Sequence, residues 1–181
     1  GLVGSEMCIR DRANTLIYYV YGRKGVIHNM KFTCTKTNFN NGINIALKAV
    51  PGKTTMPILE CVVIEAKGDM VKLTTNDMQL GIETKIPAEI EQDGIILVNA
   101  KMISEIVRRL PDDDVNFEVD ENNNILLFCG KSKFNIPGIP HDEFPMLPKI
   151  EADKTIHISQ FTLKEMIRQT IFSISDNESN K

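Results

Sequence analysis

Residues 95–136, IILVNAKMISEIVRRLPDDDVNFEVDENNNILLFCGKSKFNI, decide the fold, because one helix-period segment sits between runs of strand period. Residues 95–98 are a short apolar strand. Residues 100–110 then place Met102, Ile103, Ile106, Val107 and Leu110 on one face of a helix, which Pro111 stops. Three alternating runs follow, at 115–119, 125–129 and 133–136. They are separated by the Asp/Asn-rich stretch 120–124 and by Gly130-Lys131, both suited to hairpin turns.

Upstream the same order occurs once more. Residues 31–35 alternate, an Asn/Thr-rich break follows, and residues 42–50 carry Ile43, Ala46, Leu47 and Val50 at helical spacing before Pro51-Gly52. Strand-like runs at 58–66, 70–75 and 79–87 come next, with turns at Lys67-Gly68-Asp69 and Asn76-Asp77. A three-stranded meander with one helix cannot cover its own apolar face, so two copies are expected to pair around one core. The expectation is an α+β domain with pseudo-twofold symmetry, its two helices side by side on a curved antiparallel sheet system.

Residues 137–148 contain Pro137, Pro140, Pro145 and Pro148 and read as a linker. A third copy opens beyond it, with a strand at 155–159 and a helix for which Thr162 and Glu165 form a capping box. That helix carries Met166, Ile167, Thr170, Ile171 and Ile174. Residues 1–29 lack the patterning that begins at Met30 and read as a non-native upstream segment. The expected organisation is thus 1–29 upstream, 30–148 a first domain, and 149–181 the start of a second, truncated one.

The formal net charge of −3 argues against a chain that coats nucleic acid by bulk positive charge, so any DNA contact must be local. Cys8, Cys34, Cys61 and Cys129 show no metal-ligand spacing, and Cys34, Cys61 and Cys129, set in apolar strand-like runs, fit the cytoplasm as reduced core thiols. No run reaches the ~20 apolar residues of a membrane-spanning helix. Gly52-Lys53-Thr54 is not a phosphate-binding loop, since Leu47 stands where that motif needs glycine. Asp112, Asp113 and Asp114 read as a solvated acidic turn, and His141 and His157 as structural or exposed. No nucleophile, base and orienting group can be assembled, and no cofactor is expected.

The segments MKFTC, TTMPILECVVIEA, TTNDMQLGIET, GIILVNAKMISEIVRRLP and GKSKFNIPGIPHDEFPMLP, taken in order, resemble the first domain of the bacterial DNA sliding clamps, the beta subunits of DNA polymerase III. ISQFTLKEMIRQTIFSISDNESNK resembles the opening of their second domain. The resemblance implies a non-catalytic processivity factor in DNA replication, a homodimeric ring whose helices line a hole around double-stranded DNA without reading its sequence. It implies a second clamp subunit, DNA polymerase III and the clamp loader as partners, the last two through parts this chain does not contain.

Helical geometry then singles out the residues opposite each apolar stripe. These are Asn41, Asn44 and Lys48 on the first helix, Lys101, Ser104 and Arg108 on the second, and Lys164 and Arg168 on the third. Lys53 and Asn177 match family positions that contact DNA. Like charges three or four residues apart cost a few tenths of a kcal/mol in isolation, which fits an anion beside them; a plain solvated face is the competing reading. Glu105 and Arg109 read as a surface ion pair. The competing functions are a magnesium-dependent nuclease or polymerase-associated enzyme, which needs clustered carboxylates, and an α+β protein-interaction scaffold unrelated to DNA.

Overall fold

The computed structural model describes residues 30–148 and 156–174, which divide between Leu147 and Pro148 into two compact units. The expected upstream segment 1–29 lies outside the described residues.

In the first unit β1 (Lys31–Thr35) leads into α1 (Lys36–Ala46), then β2 (Cys61–Lys67), β3 (Met70–Asn76) and β4 (Gly81–Pro87). After β5 (Glu89–Gln92) the order repeats as β6 (Gly94–Asn99), α2 (Ala100–Arg109), β7 (Asp114–Val119), β8 (Asn124–Cys129) and β9 (Ser132–Pro137). The helices start where a side chain caps them. Thr35 Oγ1 accepts from the Asn38 N–H at 3.3 Å and Asn99 Oδ1 from the Met102 N–H at 3.0 Å.

Helix α1 begins six residues before the expected position. Residues 37–41 are poor helix formers, but the Thr35 cap and the full burial of Phe39 outweigh propensity. Leu47–Ala49 tighten into a 3-10 turn.

The strands form two antiparallel sheets, ordered β5-β1-β7-β8-β9 and β4-β3-β2-β6. Each sheet therefore holds the meander of one copy and the first strand of the other. This exchange fuses the copies, because β1 is hydrogen-bonded to β7 and β6 to β2. Phe32 and Phe117 face each other across the first join and stack at 4.8 Å, with Phe39 of α1 edge-on to both at 6.0 and 6.1 Å.

The two helices pack against each other. Phe39, Ile43, Ile103 and Val107 share one core with Val62, Ile64 and Leu73 of the second sheet and with Val115, Ile125 and Leu127 of the first. Gly42 packs directly on side chains of β3 and β4. A β-carbon there would lie 2.8 Å from Ile86 Cγ2 and 2.9 Å from Leu73 Cδ1.

Three further stretches of the first unit differ from expectation. Residues 58–60, expected to open a strand, belong to a 3-10 turn, Pro57–Glu60, ahead of β2. Residues 89–92 form β5, an edge strand on β1. The proline-rich stretch after β9 is a strap packed on the outer face of the second sheet, and not a free connector. Ile139 pairs with Leu97, Phe144 is buried against Cys61, Val63 and Leu97, and Asn76 Nδ2 donates to Pro145 O at 2.8 Å. Prolines end the strand there, but side-chain burial holds the backbone that they free.

In the second unit α3 spans Gln160–Thr170. Its cap is Ser159, whose Oγ accepts from the Thr162 N–H at 3.0 Å, so Thr162 sits inside the first turn and not at the expected capping position. Residues 156–159 form no strand, and Thr155 lies outside the described residues. Phe161, Met166, Ile167 and Ile171 are more than half exposed.

Candidate nucleic-acid interface

Burying Phe39, Ile43 and Ala46 turns the opposite side of α1 outward, which exposes Asn41 and Asn44, and Lys48 is exposed in the 3-10 turn that follows rather than on the helix itself. On α2 the same geometry buries Ile103 and Val107 and exposes Lys101 and Arg108, while Ser104 is half-buried. Lys101 and Arg108 thus stand on a helix packed against α1, and Lys48 in the 3-10 turn that continues α1. Ile45 and Met102 stand exposed on the same helices.

Lys53 is exposed in the loop that follows α1, a loop braced where Thr54 Oγ1 accepts from the Met56 N–H at 3.0 Å. In the second unit Lys164 and Arg168 are exposed on α3. Asn177 lies outside the described residues.

The basic residues differ in their partners. Arg108 Nη2 lies 3.0 and 2.8 Å from the two carboxylate oxygens of Glu105, and Arg109 Nη2 lies 3.3 Å from Glu105 Oε2. The Glu105–Arg109 pair was legible from i,i+4 spacing; the stronger pairing with Arg108 was not. Arg168 Nη1 lies 3.5 Å from Glu165. Among the described residues no carboxylate comes within ion-pair distance of Lys48, Lys53, Lys101 or Lys164.

Outside the helices, no group of three potential metal ligands is present among the described residues. Asp112 and Asp113 are exposed in the turn before β7 and Asp114 is the exposed first residue of that strand; Asp113 Oδ1 accepts from the Asp114 N–H and the Asp113 carbonyl accepts from the Lys36 N–H. A shallow cleft beside Met30 is lined by Glu118, Asp120 and Glu121, and Lys31 in it is held above the usual lysine range by Glu91 and Glu118. Cys34, Cys61 and Cys129 are buried thiols, and burial pushes Cys34 up to about 12. No helix among the described residues is long and apolar enough to cross a membrane.

Comparison with known proteins agrees with this architecture. Residues 30–148 match the family described as DNA polymerase III beta subunit, N-terminal domain. The chain is 40% identical over 157 residues to the beta sliding clamp of Bacillus subtilis, covering 82% of this chain and 42% of that protein. It is 36% identical over 157 residues to the beta sliding clamp of Halalkalibacterium halodurans, covering 82% and 41%.

Among solved structures, a DNA polymerase III beta subunit from Eubacterium rectale superposes with a TM-score of 0.79 at 54% identity, covering 84% of this chain and 41% of that one. The Bacillus subtilis sliding clamp superposes with a TM-score of 0.79 at 39% identity, covering 84% and 42%. The chain thus spans about two fifths of the length of these relatives. With its two meanders, exchanged first strands and paired helices matched over that length, the chain belongs to the DNA polymerase III beta subunit family, the bacterial sliding clamps.

Proposed function

We propose that this chain is part of a processivity factor that encircles duplex DNA and tethers the replicative polymerase, without chemistry of its own. The observation that carries this reading is the pair of neighbouring helices, with Lys101 and Arg108 on α2 and Lys48 in the turn that continues α1, in a chain matched over residues 30–148 to the clamp family. A ring that holds DNA by enclosure needs only weak, sequence-independent contacts with phosphate, which solvated lysines on a rigid helix pair supply. Lys53, Lys164, Arg168 and Asn177 complete the proposed DNA-facing set.

The organisation behind it is a first clamp domain at 30–148 and the beginning of a second at 149–181, after a non-native upstream segment at 1–29. The proposed partners are double-stranded DNA, a second clamp subunit, and DNA polymerase III and the clamp loader. The last two would engage parts of the longer relatives that this chain does not span. Its place would be the cytoplasm, and it needs no cofactor.

The test uses the full-length protein that carries this chain, loaded onto a nicked circular plasmid by a clamp loader. Retention on the circle and loss after a single linearising cut are expected, because a ring slides off an end. Equal retention on circle and linear DNA would refute enclosure. DNA degradation abolished by changing Asp112, Asp113 and Asp114 together would establish the enzyme instead.

A further inference from the structure

Every arginine in the proposed DNA-facing set has a carboxylate three residues before it. Glu105 holds Arg108 on α2, with both carboxylate oxygens on one guanidinium nitrogen, and Glu165 holds Arg168 on α3. Glu105 also takes Arg109, so one carboxylate restrains two guanidinium groups. The lysines of the set are left without such partners among the described residues. The two cations therefore divide by type, and the division occurs on two separate helices.

Guanidinium and ammonium groups differ in how they hold phosphate. The planar guanidinium grips two oxygens in a fixed fork, whereas the ammonium is a strongly hydrated point charge that exchanges readily. A sliding ring is poorly served by fork-like grips, since each must break before the DNA can advance.

We propose that Glu105 and Glu165 are positioning residues that hold Arg108 and Arg168 back from the phosphate backbone, so that lysines supply the mobile contacts and the arginines engage only when a phosphate displaces a carboxylate. The inference rests on the DNA-facing reading of these helices. Arg108, Glu105 and Arg168 are largely solvent-accessible and Glu165 is half-buried, and pairs at this spacing near the surface are weak, so a phosphate can compete. Glu105 thereby tunes affinity and does not abolish it.

The experiment is a salt series of duplex binding with the full-length protein, using a short blunt duplex of mixed sequence. Glu105→Gln should tighten binding several-fold and steepen the slope of log affinity against log salt by about one, as a released arginine reaches phosphate. Glu121→Gln removes the same charge from the turn at the far end of β7 and should do much less.

A double-mutant cycle separates release of the arginine from loss of negative charge. Arg108→Ala should weaken binding several-fold more in the Glu105→Gln background than in the parent, removing most of the gain. Equal effects of Glu105→Gln and Glu121→Gln, or an equal cost of Arg108→Ala in both backgrounds, would overturn the tether while Lys53→Ala and Lys101→Ala still weaken binding. If those two lysine changes also had no effect, the DNA-facing reading would fall and the tether with it.

Discussion

Leu97 and Ile139 exchange both of their backbone hydrogen bonds, each at 2.9 Å, and so place the strap in the position that β5 occupies in the other half. There, Glu89 faces Thr33 on β1. The correspondence is detailed: Pro87, Ala88 and Glu89 match Pro137, Gly138 and Ile139. Ala88 N–H donates to Asp69 O at 3.1 Å where Gly138 N–H donates to Asn123 O at 2.9 Å. The halves part at the next residue. Ile90 goes on to pair with Phe32, whereas Pro140 has no N–H to offer and the pairing stops at one residue.

Gly138→Ala should destabilise the first domain by roughly 1–3 kcal/mol. A β-carbon at 138 would lie 2.5 Å from Asn123 O, a backbone atom that no rotamer change can move. Ala88 tolerates its own β-carbon at the matching place. Urea unfolding checks it, and an unchanged midpoint would mean the turn after β7 yields freely.

Phe144→Ala should loosen the strap while leaving the helix-side core intact. Phe144 closes over Cys61, whereas Cys34 and Cys129 belong to the other cluster. Burial holds all three thiols above the ordinary range, so access governs their reactivity. Alkylation followed by mass spectrometry should show Cys61 labelling at least about tenfold faster in the variant, with Cys34 and Cys129 unchanged. Parallel acceleration of all three would show that the strap and core open together.

Asp120 should contribute to stability in a pH-dependent way. Its carboxyl is held below the usual 3.8 first by the Asn124 side chain, then by the N–H groups of Asn124 and Asn122. A lowered folded value means the contribution is complete above the ordinary carboxylate range and is lost as pH falls through the folded value. The stability gap between the parent and Asp120→Asn should therefore be constant above about pH 5 and shrink below it. A gap that stays constant down to pH ~3 would assign the effect to shape alone.

Lys53→Ala should weaken duplex binding about equally across DNA sequences and reduce the salt slope by ~1, since the role proposed for it is purely electrostatic. Stability should change by no more than about 0.5 kcal/mol, because the side chain is exposed in a loop. An unchanged slope in the full-length protein would return Lys53 to the solvated loop.

Alternation and turn residues made the two meanders legible, and the spacing of Ile103, Val107 and Leu110 made α2 legible, because each element's own periodicity records which face it buries. The start of α1 was hidden. Lys36, Thr37, Asn38 and Asn40 resemble a loop, and the Thr35 cap with the tertiary burial of Phe39 recruits them. The exchange of β1 and β6 leaves no local mark, since a strand's pattern names its buried face and not its neighbour. Prolines masked the strap for a related reason: what holds it is Phe144 in a distant pocket. Exposed basic positions could be read from helical geometry, but the geometry of Glu105 with Arg108 depends on rotamers and not on spacing alone.

The exchange of first strands also governs how the domain can be made. Thr33 on β1 donates its hydroxyl to Asn116 on β7, a partner 83 residues later in the chain. Leaving the ribosome, the first half would carry an apolar strand, with Phe32 and Cys34 on its core face, and no sheet to receive it. Its own meander accepts β6 in that slot instead. Neither half can therefore finish a sheet alone, and closure of such long-range pairs is slow. Assembly must wait until β7 and β8 are available, which makes the nascent first half a natural client for whatever shields apolar strands during synthesis.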